Sequence, residues 1–243
     1  MPQTNRLPRP RHTILALVGL LLLGACVPSD PRLDGSGPLA PQAMRQYGSV
    51  RDGDVVIPAV PSQYLTADTM RQIVPYTTDE APGTIIVDPY AHRLYLILED
   101  GQALRYTVAV GEAGRNFSGR ATIPFKREWP TWTPTANMLR RDPELNEPWR
   151  GGMPGGLDNP LGARALYLYR GGRDTLYRIH GTPYPGSVGQ SVSSGCIRLF
   201  QQDIIHLYDQ VAPGTKVIVL SAAQASSVGT VSVEAPFAVA FPD

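Results

Sequence analysis

The chain has 243 residues, of which 42% are hydrophobic and 18% charged, and its formal charge is +1. The apolar content is sufficient for a core of ordinary size. The near-neutral charge argues against nucleic-acid binding, which needs many lysines and arginines to neutralise phosphates. The 24 glycines and 24 prolines interrupt long helices and favour strands and turns over an all-helical fold.

The N-terminus has the pattern of an export signal. Arg6, Arg9 and Arg11 precede the apolar run 14–23, and small residues follow it up to Cys26. We predict a signal peptide at 1–25. The run is shorter than the about 20 apolar residues that span a bilayer, so a retained transmembrane helix is the weaker interpretation. Removing the three arginines from the charge of +1 leaves −2.

The sequence Leu23-Gly24-Ala25-Cys26 resembles the lipobox of bacterial lipoproteins. That resemblance implies lipidation of Cys26, a lipid anchor in a membrane and a periplasmic location, with Val27 favouring the outer over the inner membrane. The alternative is an ordinary cysteine beside a conventional cleavage site. If Cys26 is lipidated, Cys196 is a lone thiol in an oxidising compartment, which favours a catalytic role.

The middle of the chain predicts a mainly β domain at 82–221. Residues 26–81 are rich in proline and glycine and predict a tether and N-terminal extension, with a short helical turn at 67–74. One principal helix is expected at 204–211, where the apolar residues have helical spacing. Residues 222–243 resemble a low-complexity tail. The predicted strands, mainly antiparallel and forming a sandwich, are 84–87, 93–98, 104–110, 165–169, 176–179 and 216–220.

A long stretch at 122–156 shows no strand or helix pattern. Loops of this length in a compact domain are usually either functional or disordered. Trp129 and Trp132 are interpreted first as packing residues and second as walls of a peptide or glycan groove. The glycine-rich run 151–156 is either a mobile lid or a passive loop.

Two residues with reactive side chains, His180 and Cys196, lie close together in the sequence. A strand ends at His180, a loop follows, and Cys196 precedes the predicted helix. A nearby imidazole, a helix N-terminus and Arg198 would each increase the thiolate fraction of the cysteine. Gly195 permits close approach of a substrate, and its N–H or that of Cys196 could stabilise an oxyanion. Arg198 could also pair with a substrate carboxylate, and a structural ion pair is the alternative.

The segment Ser193-Ser194-Gly195-Cys196-Ile197-Arg198-Leu199, with His180-Gly181 before it and Asp203 after it, resembles the signature of the L,D-transpeptidase catalytic domain (YkuD family). The likeness extends over about 82–220. Two positions depart from the family pattern. Ser194 stands where many members have histidine, which leaves His180 as the base, and Phe125 ends a segment that is often Thr-Pro-x-Gly.

The resemblance implies a cysteine acyltransferase. Cys196 would attack the L,D bond of a peptidoglycan stem tetrapeptide, release D-Ala and pass the acyl group to an amine, with His180 as base and acid. Gly181, Ser193 and Ser194 would contact the substrate, although turn formation also explains the serines. No metal or organic cofactor is implied, and no acidic third member.

Three questions stay open at this level. The acceptor could be another stem peptide, a free D-amino acid or an outer-membrane protein. Water as the acceptor would make the enzyme an L,D-carboxypeptidase or endopeptidase. A non-catalytic peptidoglycan-binding lipoprotein is the alternative from another class, and the pairing of His180 with Cys196 argues against it.

Overall fold

In the computed structural model, which describes residues 44–111, 117–192 and 196–228, the strand-forming runs assemble into a large twelve-stranded sheet and a separate sheet of two short strands, β1 and β2. The strands are β1 Val50–Asp52, β2 Val55–Ile57, β3 Gln72–Pro75, β4 Ile85–Asp88, β5 Arg93–Ile97, β6 Gln102–Thr107, β7 Ala109–Gly111, β8 Gly119–Ile123, β9 Lys126–Glu128, β10 Arg164–Arg170, β11 Arg173–Gly181, β12 Ser191–Val192, β13 Ile197–Leu199 and β14 Thr215–Val219. The helices are α1 Ala136–Arg141, α2 Pro143–Asn146, α3 Gln201–Gln210 and α4 Ala222–Val228.

The sheet is mixed and curled. Its strand order is β12-β7-β13-β11-β10-β8-β14-β4-β5-β6-β3, with β9 added beside β10. Only Val108 separates β6 from β7, yet these strands lie near opposite ends of that order. The two halves of the sheet therefore fold towards each other across a shared core. This confirms the mainly β prediction, while parallel pairing of β11 with β13, β12 with β7 and β14 with β4 shows that the sheet is not purely antiparallel.

The core follows the two-residue period of the strands. On β4, Ile85 and Val87 enter the main core, whereas Ile86 packs on the other face in a smaller cluster. Helix α3 buries Ile204 and Leu207 in the main core. This confirms the predicted helix and its apolar face, and the helix packs against β10 and β11.

The segment before β4 packs against the residue that precedes α3. Tyr47 makes an edge-to-face contact with Phe200, with ring centroids 5.8 Å apart, and both belong to a second buried cluster that includes Val188. The predicted helical turn at 67–74 is wrong in its second part, because β3 pairs antiparallel with β6 there. The predicted domain limits at 81 and 221 stay predictions.

Three other expectations meet the structure here. The stretch 122–156 contains β9, α1 and α2 and is not irregular throughout. Helix α4 lies inside the predicted tail. The signal peptide, Cys26 and residues 229–243 lie outside the described residues. Among the residues that are described, no helix is long and apolar enough to cross a membrane.

Candidate active site

The parallel pairing of β11 with β13 brings His180 and Cys196 together. Ile179 pairs with Ile197 and His180 with Arg198, so the same register carried back one residue sets Cys196 beside Arg178. Paired residues on neighbouring strands point to the same face. Arg178, His180, Cys196 and Arg198 therefore share one face of the sheet, whereas the two isoleucines enter the core on the other.

This face forms one wall of a groove of about 400 Å³. The opposite wall comes from α1, α2 and the loops on either side of them. Both His180 and the partly exposed Cys196 line the groove. The other lining residues are Trp132, Met138, Arg141, Asp142, Leu145, Asn146, Trp149, Met153, Asp158, Pro160, Leu161, Tyr184 and Arg198.

His180 is held as a neutral imidazole. Its side chain is buried, and Nδ1 lies 2.6 Å from the carbonyl oxygen of Gly181. A carbonyl only accepts, so Nδ1 carries the proton and Nε2 keeps its lone pair. Burial lowers the pKa of His180 to about 3, helped by the charges of Arg198 and Arg178 and opposed by hydrogen bonds to the backbone of Gly181 and Leu161. The imidazole is therefore neutral at pH 7.

The thiol of Cys196 is also neutral at rest. Burial raises its pKa, and this effect exceeds the opposing hydrogen bond from the Arg178 backbone and the positive charges of Arg178 and Arg198. The expected increase in thiolate fraction is therefore wrong. Strand β13 separates Cys196 from the first turn of α3, and the field of a helix N-terminus is short-ranged.

Two arginines flank the pair. Burial lowers the pKa of Arg198, while the nearby Cys196 and Tyr184 raise it. Arg178, which the sequence did not single out, forms two hydrogen bonds of 2.7 Å with Asp174 and stacks 4.2 Å from the centre of the Tyr167 ring. Arg198 thus faces the groove, and Arg178 is anchored away from it.

The other predicted site residues lie in different places in the structure. Gly181 is buried at the end of β11 and contacts the imidazole through its carbonyl, which makes it a support for His180. Ser193, Ser194 and Gly195 lie outside the described residues, so the predicted oxyanion and substrate contacts there stay predictions. Asp203, part of the family signature, is fully buried and paired with Arg71.

The opposite wall of the groove was largely missed from sequence. Trp132, one of the two tryptophans considered from sequence, lines the groove. Trp149, which was not considered, lines it as well. Only short sequence signals mark the two helices of this wall. Thr135 caps α1 by accepting a hydrogen bond from the backbone N–H of Met138, and Asp142 caps α2, whose first residue is Pro143. A cap residue with proline at the first helical position is a usable helix-start signal.

Two further observations concern the histidines and metal ligands. The side chain of His206 is partly buried: its Nδ1 lies 2.8 Å from the hydroxyl of Tyr106, and burial lowers its pKa to about 4. Across the part of the chain that the structure describes, no three His, Cys, Asp or Glu side chains cluster as metal ligands.

A thiol just before β13 and a neutral imidazole on β11 line the same groove, and these are the residue types of a cysteine acyl-transfer site. The chain matches the family model of the L,D-transpeptidase catalytic domain over residues 82–219. It therefore belongs to the L,D-transpeptidase (YkuD) family.

Relatives agree with this assignment. The chain is 35% identical over 164 residues to the probable L,D-transpeptidase ErfK/SrfK of Escherichia coli, covering 66% of this chain and 48% of that protein. It is 40% identical over 119 residues to the probable L,D-transpeptidase YcfS of the same organism, covering 48% and 37%. The chain thus spans half or less of the length of these curated relatives.

Among solved structures, a Brucella melitensis protein titled "Probable carnitine operon oxidoreductase caia" is 49% identical. It covers 62% of this chain and 92% of its own, with a TM-score of 0.45.

Proposed function

We propose that this protein is a peptidoglycan L,D-transpeptidase that uses Cys196 as nucleophile and His180 as its base. The observation that carries the proposal is the placement of both side chains on one face of the β11–β13 pair, opening into the same groove. Family membership over 82–219 supports it.

The proposed reaction has two halves. Nε2 of His180 takes the thiol proton as the sulfur of Cys196 attacks the carbonyl carbon of the L,D peptide bond in a stem tetrapeptide. The same nitrogen returns the proton to the leaving amine, which departs as D-Ala and leaves a thioester. An amine acceptor then attacks the thioester, His180 takes its proton, and the thiol is restored. No cofactor takes part in this scheme.

The groove suits a peptide with charges of both signs. Arg141 and Arg198 offer guanidinium groups, and Asp142 and Asp158 offer carboxylates. Aromatic side chains from the opposite wall supply apolar contact area. A stem peptide carries free carboxylates and an amine, so its two kinds of charge have partners along the groove.

Mass spectrometry of the full-length chain with a disaccharide tetrapeptide tests the proposal, beside the Cys196→Ser and His180→Ala variants. We expect a thioester adduct, loss of D-Ala and a cross-linked dimer from the unaltered protein alone. Tripeptide without dimer would establish hydrolysis in place of transfer. Absence of both adduct and product would contradict an enzymatic role and favour a peptidoglycan-binding protein.

We further propose that the enzyme acts in the periplasm, anchored by a lipid on Cys26 and preferentially in the outer membrane, where a membrane protein could be the amine acceptor. The lipobox-like sequence and Val27 support this. Labelling of the expressed chain with a radioactive fatty acid, lost in Cys26→Ala, and fractionation of the membranes test it. Unlabelled protein in the soluble fraction would contradict it.

A further inference from the structure

The side chain of Gln201 lies directly behind the histidine of the candidate site. Gln201 is the first residue of α3 and is 8% exposed. Its Oε1 accepts a hydrogen bond of 2.9 Å from the backbone N–H of Ala163. One polar side chain therefore joins the start of α3, just after the nucleophile strand β13, to the loop that precedes β10.

Two glycines make room for this amide. A Cβ on Gly162 would lie 2.5 Å from Oε1 and 2.8 Å from Nε2 of Gln201. A Cβ on Gly181 would overlap Oε1 and come within 3.0 Å of Ile204. Because real Cβ atoms do not approach other atoms so closely, the amide is packed directly on both backbones.

The Gly181 backbone is the group that orients His180. Its carbonyl accepts the Nδ1 proton at 2.6 Å, which leaves Nε2 as the basic nitrogen. Rotation of the peptide after Gly181 would turn this carbonyl away from the imidazole. The packed amide of Gln201 opposes that rotation, since it occupies the space beside the glycine.

We propose that Gln201 is a positioning residue for His180, acting through the Gly181 peptide. Its amide holds the carbonyl of Gly181 towards Nδ1 and so fixes the Nδ1–H tautomer, which leaves Nε2 as the basic nitrogen. The catalytic consequence of this inference rests on the proposed function, whereas the tautomer itself does not.

The test compares Gln201→Met with Gln202→Met in the full-length chain. Methionine keeps the length of the side chain but cannot accept from Ala163. Gln202 is a matched control, because it is also buried, with 5% of its surface exposed, and its Nε2 donates to the carbonyls of Gly48 and Pro58, both at 3.0 Å. Both variants should lose thermal stability. Only Gln201→Met should change the site.

The decisive readout is the tautomer of His180, measured from imidazole ¹⁵N chemical shifts and assigned with His180→Ala. We expect the Nδ1–H form in the unaltered protein and in Gln202→Met, and a mixture of tautomers in Gln201→Met. Single-turnover acylation by tetrapeptide should fall roughly tenfold or more in Gln201→Met at saturating substrate, with little change in the half-saturating concentration.

An unchanged tautomer in folded Gln201→Met would overturn the inference. Should that variant not fold, Gly181→Ala takes its place, since the added methyl group must displace the amide; a fixed Nδ1–H tautomer there would also overturn it. Absence of acylation in the unaltered protein would instead count against the proposed function, because the tautomer measurement needs no substrate.

Discussion

Arg71 donates a hydrogen bond from Nη1 to Oδ1 of Asp203 at 2.9 Å, across 132 residues of sequence. The carboxylate is fully buried in the first turn of α3, and the guanidinium is 14% exposed. The backbone N–H of Arg71 also donates to the hydroxyl of Tyr47 at 2.6 Å. The N-terminal segment is thereby attached to α3, the helix that follows β13.

Replacing Arg71 with methionine should lower the free energy of unfolding at pH 7 by about 3–5 kcal/mol, because it leaves a buried carboxylate without its cation. Denaturant unfolding of the variant measures this. Arg51→Met is the control, since Arg51 is exposed on β1 and its loss should change stability by less than about 0.5 kcal/mol. A similar small effect at Arg71 would contradict the importance of the ion pair.

The same carboxylate should make stability depend on pH. Burial raises the pKa of Asp203 from 3.8 to about 6 despite the opposing charge of Arg71. Between these values the folded state keeps a proton that the unfolded state has lost, so the unfolding free energy falls as pH rises and levels off above about 6. In Asp203→Asn this part of the pH dependence should disappear from denaturant unfolding measured between pH 4 and 7.

The low pKa of His180 predicts a wide acid range for acylation. Since the imidazole titrates near pH 3, the base is available well below neutrality, and the single-turnover acylation rate should stay within about twofold between pH 8 and pH 5. Fluorescence at each pH verifies folding. His92→Ala, which changes a histidine in a turn outside the groove, should leave the profile unaltered. An acid limb near pH 6.5 would show that His180 is solvated.

Arg141 should contribute to substrate binding and not to the chemical step. It ends α1, is exposed and lines the groove opposite Cys196. Arg141→Met should raise KM for tetrapeptide about threefold to fivefold, the scale of an exposed ion pair, with kcat within about twofold. Arg140→Met is the matched control, because Arg140 is the adjacent residue on α1 but does not line the groove. A substrate with amidated carboxylates should remove the difference between the two variants.

One wall of the groove could be predicted from the sequence, and the opposite wall could not. His180 and Cys196 were identified because a strand pattern ends at one and a recognisable motif contains the other. Leu145 and Trp149 were not, because α1 and α2 have only six and four residues and Trp149 ends a 3-10 helix of three residues. Helices this short have no full apolar period and depend on tertiary packing.

Burial and long-range contacts account for the remaining errors. The pKa of the Cys196 thiol was expected to fall because charges and a helix are close in sequence, yet desolvation dominates, and desolvation depends on the packed structure. The partner of Asp203 could not be inferred, because it lies in a segment that composition suggested was a tether. In the sequence alone, Arg71 cannot be distinguished from an arginine on the protein surface.

Asn159 should stabilise the groove wall that faces His180 and Cys196 and that contains α1 and α2. The side chain is fully buried, and its Nδ2 lies 3.0, 3.1 and 2.9 Å from the carbonyl oxygens of Pro130, Met153 and Pro154, while Oδ1 accepts from the N–H of Leu161 at 2.8 Å. One amide thus connects both ends of the segment that carries α1 and α2 to the residue beside His180.

Asn159→Ala should lower the free energy of unfolding by roughly 2–3 kcal/mol, because several buried backbone groups lose their partner. It should also raise KM and expose residues 130–158 to proteolysis, whereas Asn137→Ala, at an exposed position on α1, should do neither. Asn159→Asp should be worse at pH 8 than at pH 5: its carboxylate would face three carbonyl oxygens, so the folded state would favour the protonated form and lose stability as pH rises. Equal stability of Asn159→Asp at the two pH values would show that the segment had already opened to water.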